Sequence, residues 1–203
     1  MWPASISSTR RGILFIVSAP SGAGKTTLIK KLLKIFPEIA LSVSCTTRSR
    51  RPRERPGRDY HFVSEKRFAA VRARKGFAEW ARVHGALYGT PRAPLERAMR
   101  RGRDMLLDID VQGARKIKRL YPDAVSVFVM PPSWRVLEER LAGRGTDGRG
   151  TIRRRLENAR REIREIVRYD YVVVNSDLAA AVESAKAIVT AERQRVSRRV
   201  RSR

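Results

Sequence analysis

The sequence predicts an α/β fold, a mostly parallel sheet flanked by helices. Three observations carry the prediction. Strand-like apolar runs alternate with helical periodicities along most of the 203 residues, the pattern of βα units. Residues 13–17, Ile-Leu-Phe-Ile-Val, are apolar without a break, as expected of a strand covered on both faces. That run leads into Ala19-Pro20-Ser21-Gly22-Ala23-Gly24-Lys25-Thr26, a strand–turn–helix layout that cradles phosphate groups.

In such a loop, backbone N–H groups converge on phosphate oxygens and the helix N-terminus adds partial positive charge. Gly22 and Gly24 allow a backbone path that a Cβ would obstruct. Lys25 would neutralise the outer phosphates of a nucleotide and the Thr26 hydroxyl would ligate Mg²⁺. The first glycine of the usual G-x-x-x-x-G-K-[ST] pattern is Ala19 here, the smallest available replacement.

The remaining elements follow in order. Leu28, Ile29, Leu32, Leu33 and Phe36 recur at helical spacing until Pro37 stops the helix. Residues 41–44 read as a short strand. Residues 45–58 form a basic loop, and 60–63 a strand of alternating faces. Ser64 caps a helix reaching about Lys75. Residues 76–83 and 86–89 form a hairpin around His84-Gly85. A helix over 91–101, a strand over 104–109 and a helix over 111–120 resume the alternation. The apolar run 124–130 is a strand, and Ser133 caps a helix to Leu141. Residues 143–150 hold four glycines and predict a hinge-like segment. A charged helix over 151–168, a strand over 171–174 and a helix from Leu178 complete the chain. The arginines at 193–203 read as a frayed, solvated helix end.

Composition narrows the function. No apolar run nears the ~18 residues of a membrane span, and the N-terminus lacks a secretory pattern. One cysteine, Cys45, allows no intrachain disulfide; with His61 and His84 alone, a Cys/His metal cluster is excluded. A cytoplasmic location is expected. The net charge is +25, from 45 Lys and Arg against 20 Asp and Glu. Such an excess admits a nucleic-acid contact, but handling several phosphates does not require it. Trp80, Trp134 and Cys45 read as packing residues.

Four clusters outside the loop carry chemistry. Arg48, Arg50 and Arg51, followed by Arg58 and Tyr60, suit a second phosphorylated substrate, because guanidinium groups grip phosphate oxygens in a plane. Glu79 faces Tyr88-Gly89-Thr90 across the hairpin. A carboxylate there accepts both N–H groups of a guanine edge, although an ordinary surface glutamate fits the sequence about as well. Asp108 and Asp110 end an apolar strand, where open α/β sheets bind ligands. Asp110 competes between a ligand role and a helix N-cap. Arg140, Arg144 and Arg155 flank the glycine-rich segment and could close over phosphates, whereas Arg153, Arg154, Arg160, Arg161 and Arg164 read as a solvated face.

From about Gly12 to Arg193 the chain resembles guanylate kinases. The resemblance rests on Ser-Ala-Pro-Ser-Gly-Ala-Gly-Lys-Thr at 18–26, Ser-Val-Ser-x-Thr-Thr-Arg at 42–48, Gly-x-Asp-Tyr-x-Phe-Val at 57–63, Tyr-Gly-Thr at 88–90, Leu-Asp-Ile-Asp-x-Gln-Gly at 107–113, Gly-Arg-Gly-Thr at 143–146 and Val-Asn at 174–175. It implies a P-loop core with a small mixed α/β GMP-binding insertion and a helical lid. On that plan residues 1–11 are a disordered lead, and 12–44, 91–142 and 169–197 the core. Residues 45–90 are the GMP-binding part, 143–168 the lid and 198–203 a basic tail.

The resemblance implies transfer of the γ-phosphoryl group of ATP to GMP with Mg²⁺, held by Thr26 together with waters and ATP phosphates. It assigns ATP to Ala19, Pro20, Ser21, Gly22, Ala23, Gly24, Lys25, Thr26 and Thr27, with Asn175 near the adenine. It assigns the GMP phosphate to Arg48, Arg51, Tyr60 and Tyr88, and guanine to Ser44, Glu79, Thr90 and Asp110. Lys25, Arg48, Asp108, Arg144 and Arg155 are implied as catalytic, with Asp108 orienting the magnesium–phosphate network and Arg144 and Arg155 as lid arginines at the ATP phosphates and adenine. Two positions depart from the family pattern. Arg50 replaces a proline and Arg53 a glycine, making the 49–56 loop more basic. The rival readings are a non-enzymatic binding module, which the +25 charge favours, and a kinase for another nucleoside monophosphate, which Glu79 and Ser44 disfavour. A monomer or small homo-oligomer is expected.

Overall fold

The computed structural model describes residues 10–83, 85–143 and 149–199. Expectations on residues 1–9, His84, the 144–148 segment with Arg144, and 200–203 lie outside them.

A five-stranded sheet forms the centre. Strand β1 (Leu14–Ser18) is followed by helix α1 (Lys25–Ile35), β2 (Ala40–Leu41), and, beyond an intervening second sheet, β7 (Met105–Asp108), β8 (Val125–Met130) and β9 (Tyr171–Val174). The strand order is β2-β7-β1-β8-β9, every pairing parallel. β1 is central, which explains its unbroken apolar run. Phe15 and Val17 point into a cluster with Leu28, Ile29, Leu32 and Ala185. Leu14 and Ile16 point into the opposite cluster with Leu95, Met99 and Ile117. Period-two alternation thus serves two cores rather than a core and a surface.

The second sheet joins β3 (Cys45–Thr46), β4 (His61–Phe62), β5 (Phe77–Val83) and β6 (Ala86–Pro91) in the order β4-β3-β6-β5. Here β3 and β4 run parallel, and β6 runs antiparallel to both β3 and β5. Helix α2 (Glu65–Ala73) covers it through Phe68, packed on Phe77 and Leu87. Ser64 caps α2 as its sequence predicts, accepting the Arg67 N–H at 3.2 Å.

Helices α3 (Arg92–Arg100), α4 (Val111–Leu120), α5 (Trp134–Ala142), α6 (Arg149–Arg164), α7 (Leu178–Gln194) and α8 (Val196–Arg199) complete the chain. Leu137 and Leu141 of α5 pack with Ala159 of α6. Among the described residues, no helix is long and apolar enough to cross a membrane.

Three expectations need correction. The strand over 41–44 ends at Leu41, because the chain crosses there into the second sheet and resumes pairing at Cys45. The helix over 151–168 starts at Arg149 and tightens into a 3-10 turn over Glu165–Arg168. The chain ends are not loose where they are described. Asp104, its side chain 1% exposed, accepts two hydrogen bonds from Arg10 at 2.6 and 2.7 Å, one from Ile13 N–H at 2.8 Å and one from Arg193 Nε at 2.8 Å. Arg193 also pairs with Glu38 at 2.7 Å, and Arg198 meets the buried Glu192 at 2.9 Å. One carboxylate therefore ties the start of β1 to the end of α7.

Burial alone would raise the Asp104 pKa, but the Arg10 pair, the Ile13 N–H and Arg193 hold it below the usual carboxylate value. A depressed folded-state pKa adds stability above the unfolded value, and that stability is lost as pH falls through the folded one. Asp104→Asn is expected to lower stability by about 3 kcal/mol, since it leaves two arginines without their buried partner. Urea denaturation at pH 7 measures the loss. The difference from the parent protein should shrink below pH 4, where the parent also protonates.

Candidate active site

The phosphate loop spans the gap between β1 and α1. Gly22 and Gly24 hold φ of 95° and 91°, the left-handed region that disfavours a side chain. Gly24 precedes the first turn of α1, and the Ala23 N–H donates to Pro20 O at 3.1 Å. Ala19 and Ala23 are buried in the core cluster, so Ala19 is accommodated by packing in the first-glycine position. Pro20 and Ser21 complete the turn, and Thr26 and Thr27 stand exposed on the first turn of α1.

Asn175, at the end of β9, lies behind this loop. Its Nδ2 donates to Ala23 O at 2.7 Å, and its backbone oxygen accepts from Arg140 at 3.1 Å. The expected adenine neighbour thus commits an amide N–H to bracing the loop. A Cβ on Gly24 would come within 2.3 Å of Asn175 Nδ2. Gly24→Ala therefore meets both a clash and an unfavourable φ of about 1–2 kcal/mol. It is expected to raise the KM for ATP at least about tenfold and to lower the melting temperature. Unchanged ATP saturation would refute the bracing role.

Lys25 projects from α1 toward the end of β7. Its Nζ lies 2.7 Å from Asp108 Oδ1 and donates to Ile109 O at 3.2 Å. Both residues line a cleft of about 240 Å³ that also takes in Ser44, Arg48, Arg51, Glu54, Tyr60, Glu79, Tyr88 and Asp110. The cleft brings the loop lysine, the second arginine cluster and the hairpin glutamate into one space.

On its far wall, Arg48 Nε donates to Tyr88 Oη at 3.1 Å, and the guanidinium lies 5.5 Å from the Tyr60 ring centre. Tyr60 stacks edge-on against Phe62 and Tyr88. Burial, then the charge of Asp108, pushes its hydroxyl up to about 12, so it is a hydrogen-bond donor at neutral pH. Arg51 is exposed at the rim.

Glu79 sits deeper, on β5, and is buried. Its Oε1 accepts from the buried Thr90 hydroxyl at 2.6 Å. Strand register pairs the two residues across the hairpin. A Cβ on Gly113 would lie 3.0 Å from Glu79 Oε2, so the glycine in the first turn of α4 makes room for the carboxylate. Burial raises Glu79 to about 7, opposed by the Thr90 hydroxyl and assisted by the negative charge of Asp110. Asp110 combines both of its expected readings. Its Oδ1 caps α4 by accepting from Gly113 N–H at 2.9 Å, and the residue lines the cleft.

Helix α5 packs at the root of the phosphate loop, since a Cβ on Gly22 would meet Leu137 and Leu141 at 3.1 Å, and Glu162 of α6 accepts from the Ser21 N–H. Arg155 is half-buried on α6, and the residues lining the cleft do not include it.

Two acidic residues escaped sequence reasoning. Glu54 faces Arg48 in the cleft wall; the signal was one acid among the arginines of 48–58. Glu162 lies on the helix assigned to a solvated face. Burial pushes it up to about 7, against the pull of Lys25 and the Ser21 N–H and with repulsion from Asp110. Its spacing from Arg155 and the buried Ala159 puts all three on one helical face, a pattern obscured by the surrounding charges. The Trp80 and Trp134 rings carry cations: Arg72 and Lys116 each at 5.0 Å, and Arg160 at 4.9 Å.

The comparisons agree on kinship. The family described as guanylate kinase matches residues 11–192. A guanylate kinase of Syntrophotalea carbinolica is 56% identical over 189 residues, covering 93% of this chain and 90% of its own length. One of Aromatoleum aromaticum is 52% identical, with coverage of 91% and 90%. The crystal structure of guanylate kinase from Anaplasma phagocytophilum superposes with a TM-score of 0.80 at 36% identity, over 95% of this chain and 92% of that one. With the phosphate loop, the arginine wall and the hairpin glutamate meeting in one cleft, this chain belongs to the guanylate kinase family.

Proposed function

We infer that the protein transfers the γ-phosphoryl group of ATP to GMP, giving ADP and GDP. Family membership carries the activity. The observation that supports it best is the single cleft with Lys25 on one wall and Arg48, Arg51, Tyr60 and Tyr88 on the other. Two phosphate sites that share a cavity suit a transferase, whereas an ATPase or a GTP switch needs only one.

The residues support these roles. Lys25 and the loop N–H groups hold the donor phosphates. Arg48, Arg51, Tyr60 and Tyr88 hold the acceptor phosphate, and Ser44, Glu79, Thr90 and Asp110 read the base. The acceptor oxygen of a phosphate monoester is already largely ionised near pH 7, so attack on the γ-phosphorus needs no strong base; among the described residues the cleft lining contains no histidine. The rate then comes from alignment and from neutralising charge on the transferring group. Arg144 and Arg155 are proposed to approach with the lid, which would also exclude water.

The oxygen-donor set fits Mg²⁺. The Thr26 hydroxyl is exposed beside the loop and Asp108 is partly exposed in the cleft. Among the described residues, no group of three or more His, Cys, Asp or Glu could hold a metal ion. A hard cation that keeps waters and nucleotide phosphates as most of its ligands matches that arrangement. When bound, such an ion would be held by the Thr26 hydroxyl with waters and nucleotide phosphates and would neutralise part of the donor phosphates' charge. A reducing cytoplasm suits the lone, half-buried Cys45.

A coupled assay of ADP release with GMP, AMP, UMP and CMP tests the function. Turnover with GMP well above the others is expected, and equal rates with AMP would overturn the guanine-reading role.

A further inference from the structure

We propose that Glu54 is a positioning residue for the acceptor phosphate, fixing Arg48 and Arg51 together so that Tyr88 and Arg51 present their donors to the ligand. The inference rests on the reading of this wall as the acceptor-phosphate site.

Arg48 has most of its donors committed within this wall. A guanidinium carries five N–H groups. Nε gives its proton to Tyr88 Oη at 3.1 Å. Nη1 donates to Ser49 O at 2.6 Å and to Glu54 Oε2 at 3.1 Å. Nη2 donates to Glu54 Oε1 at 2.7 Å. Four of the five are committed, and one on Nη2 remains. An arginine so engaged is not poised for the two-pronged grip on phosphate that its position suggests. Its pairing with Glu54 is two-pronged instead, the geometry that holds a guanidinium plane most firmly.

The same carboxylate organises the loop. Glu54 Oε2 also accepts the Arg51 backbone N–H at 2.8 Å, while the Glu54 N–H donates to Arg51 O at 3.0 Å. These reciprocal bonds close the turn over 51–54. The spacing of the two arginines is therefore set by one side chain. Arg50, the residue that departs from the family pattern, reaches the Glu54 carbonyl at 3.4 Å and lies over the same turn. The Arg48 guanidinium holds Glu54 below the usual carboxylate range, so the pair persists in the physiological range.

The consequence passes through Tyr88. Its oxygen accepts from a cation, which makes its own O–H a stronger donor and leaves that proton directed elsewhere. Arg48 then acts on the phosphate through the single remaining N–H and through the Tyr88 hydroxyl. Arg51, with its backbone pinned and its side chain exposed, supplies the direct charge. Without Glu54, Arg48 would be free to swing and the 51–54 turn to open.

The alternative is that Glu54 is a resident anion that the incoming phosphate must displace. The two readings predict opposite signs. Glu54→Gln and Glu54→Ala should be compared with the parent enzyme for KM of GMP, KM of ATP, kcat and the inhibition constant of guanosine, which lacks the phosphate. Positioning predicts that the KM for GMP rises about 10- to 100-fold, the range for a lost charge-assisted hydrogen bond. Guanosine inhibition and the KM for ATP should change less than about twofold by the same scale. An unchanged or lower KM for GMP would overturn the proposal. So would a parallel loss of GMP and guanosine affinity, which signals collapse of the base site. Failure of the parent enzyme to phosphorylate GMP would instead defeat the acceptor-site reading itself.

Discussion

Replacing Lys25 with alanine is expected to lower kcat by at least about 10²–10³-fold, the cost of removing one preorganised electrostatic group from a transition state. The fold should survive. Lys25 and Asp108 are 20% and 32% exposed, so their ion pair contributes about 1 kcal/mol or less to stability. The loop is held independently by the Asn175–Ala23 hydrogen bond and by burial of Ala19 and Ala23. Circular dichroism and the melting temperature should therefore match the parent while ADP release collapses. A variant that retained near-normal turnover would remove Lys25 from the donor site.

The second large effect is expected at Glu79. A carboxylate offers acceptors alone, and guanine presents two adjacent donors, N1–H and the 2-amino group. Glu79→Gln keeps one acceptor and turns an N–H₂ toward a donor. A site built on hydrogen bonds discriminates strongly when a partner is left unmatched, so kcat/KM for GMP should fall about 10²-fold or more. The ratio of GMP to AMP turnover should fall with it, while ATP saturation is unchanged. An undiminished preference for GMP over AMP would remove Glu79 from base reading.

Glu79 also brings a pH signature. Its pKa is raised to about 7, chiefly by burial, and on the proposed base-reading role the charged form is the one that would accept both N–H groups of guanine. The KM for GMP should rise as pH falls below about 7, toward the value seen in Glu79→Gln. The substrate phosphate titrates nearby, so the diagnostic result is a shallower dependence in the variant than in the parent.

How far the sequence spoke depended on how local each feature is. The phosphate loop and β1 are contiguous, and their glycines and apolar run announce them. The Ser64, Ser133 and Asp110 caps each bond three residues ahead, and each was legible for that reason. Strand β2 was not, because Leu41-Ser42-Val43-Ser44 has strand character throughout, yet Leu41 is paired by β7 and the chain from Cys45 by β6, both distant in the chain. The ends of the chain were misjudged for a similar reason. Arg193 looks like one more solvated arginine until Asp104, 89 residues away, takes hold of it. Glu54 and Glu162 were missed as well. Glu162 answers to Lys25 and Ser21 on distant elements, while Glu54 has nearby partners in Arg48 and Arg51, but in a chain of 45 Lys and Arg a cationic neighbour carries little information. Base recognition fell between these cases. Glu79 and Thr90 were paired by the hairpin reading, but the space that Gly113 opens for the carboxylate comes from α4.

The tripeptide Asp108-Ile109-Asp110 has a consequence for substrate choice by size. Its first residue holds the Lys25 ammonium and its second offers that lysine a carbonyl. Its third sets its charge against the buried Glu79, the proposed base reader. Two peptide units keep the Cα atoms of Asp108 and Asp110 within about 7 Å of each other, whatever the position of the lid. On the proposed roles, the tripeptide would join the donor and acceptor sites through a backbone span of limited length. With those roles, an acceptor much shorter or longer than a nucleoside monophosphate is expected to present its attacking oxygen poorly, even when every hydrogen-bonding group is available to it.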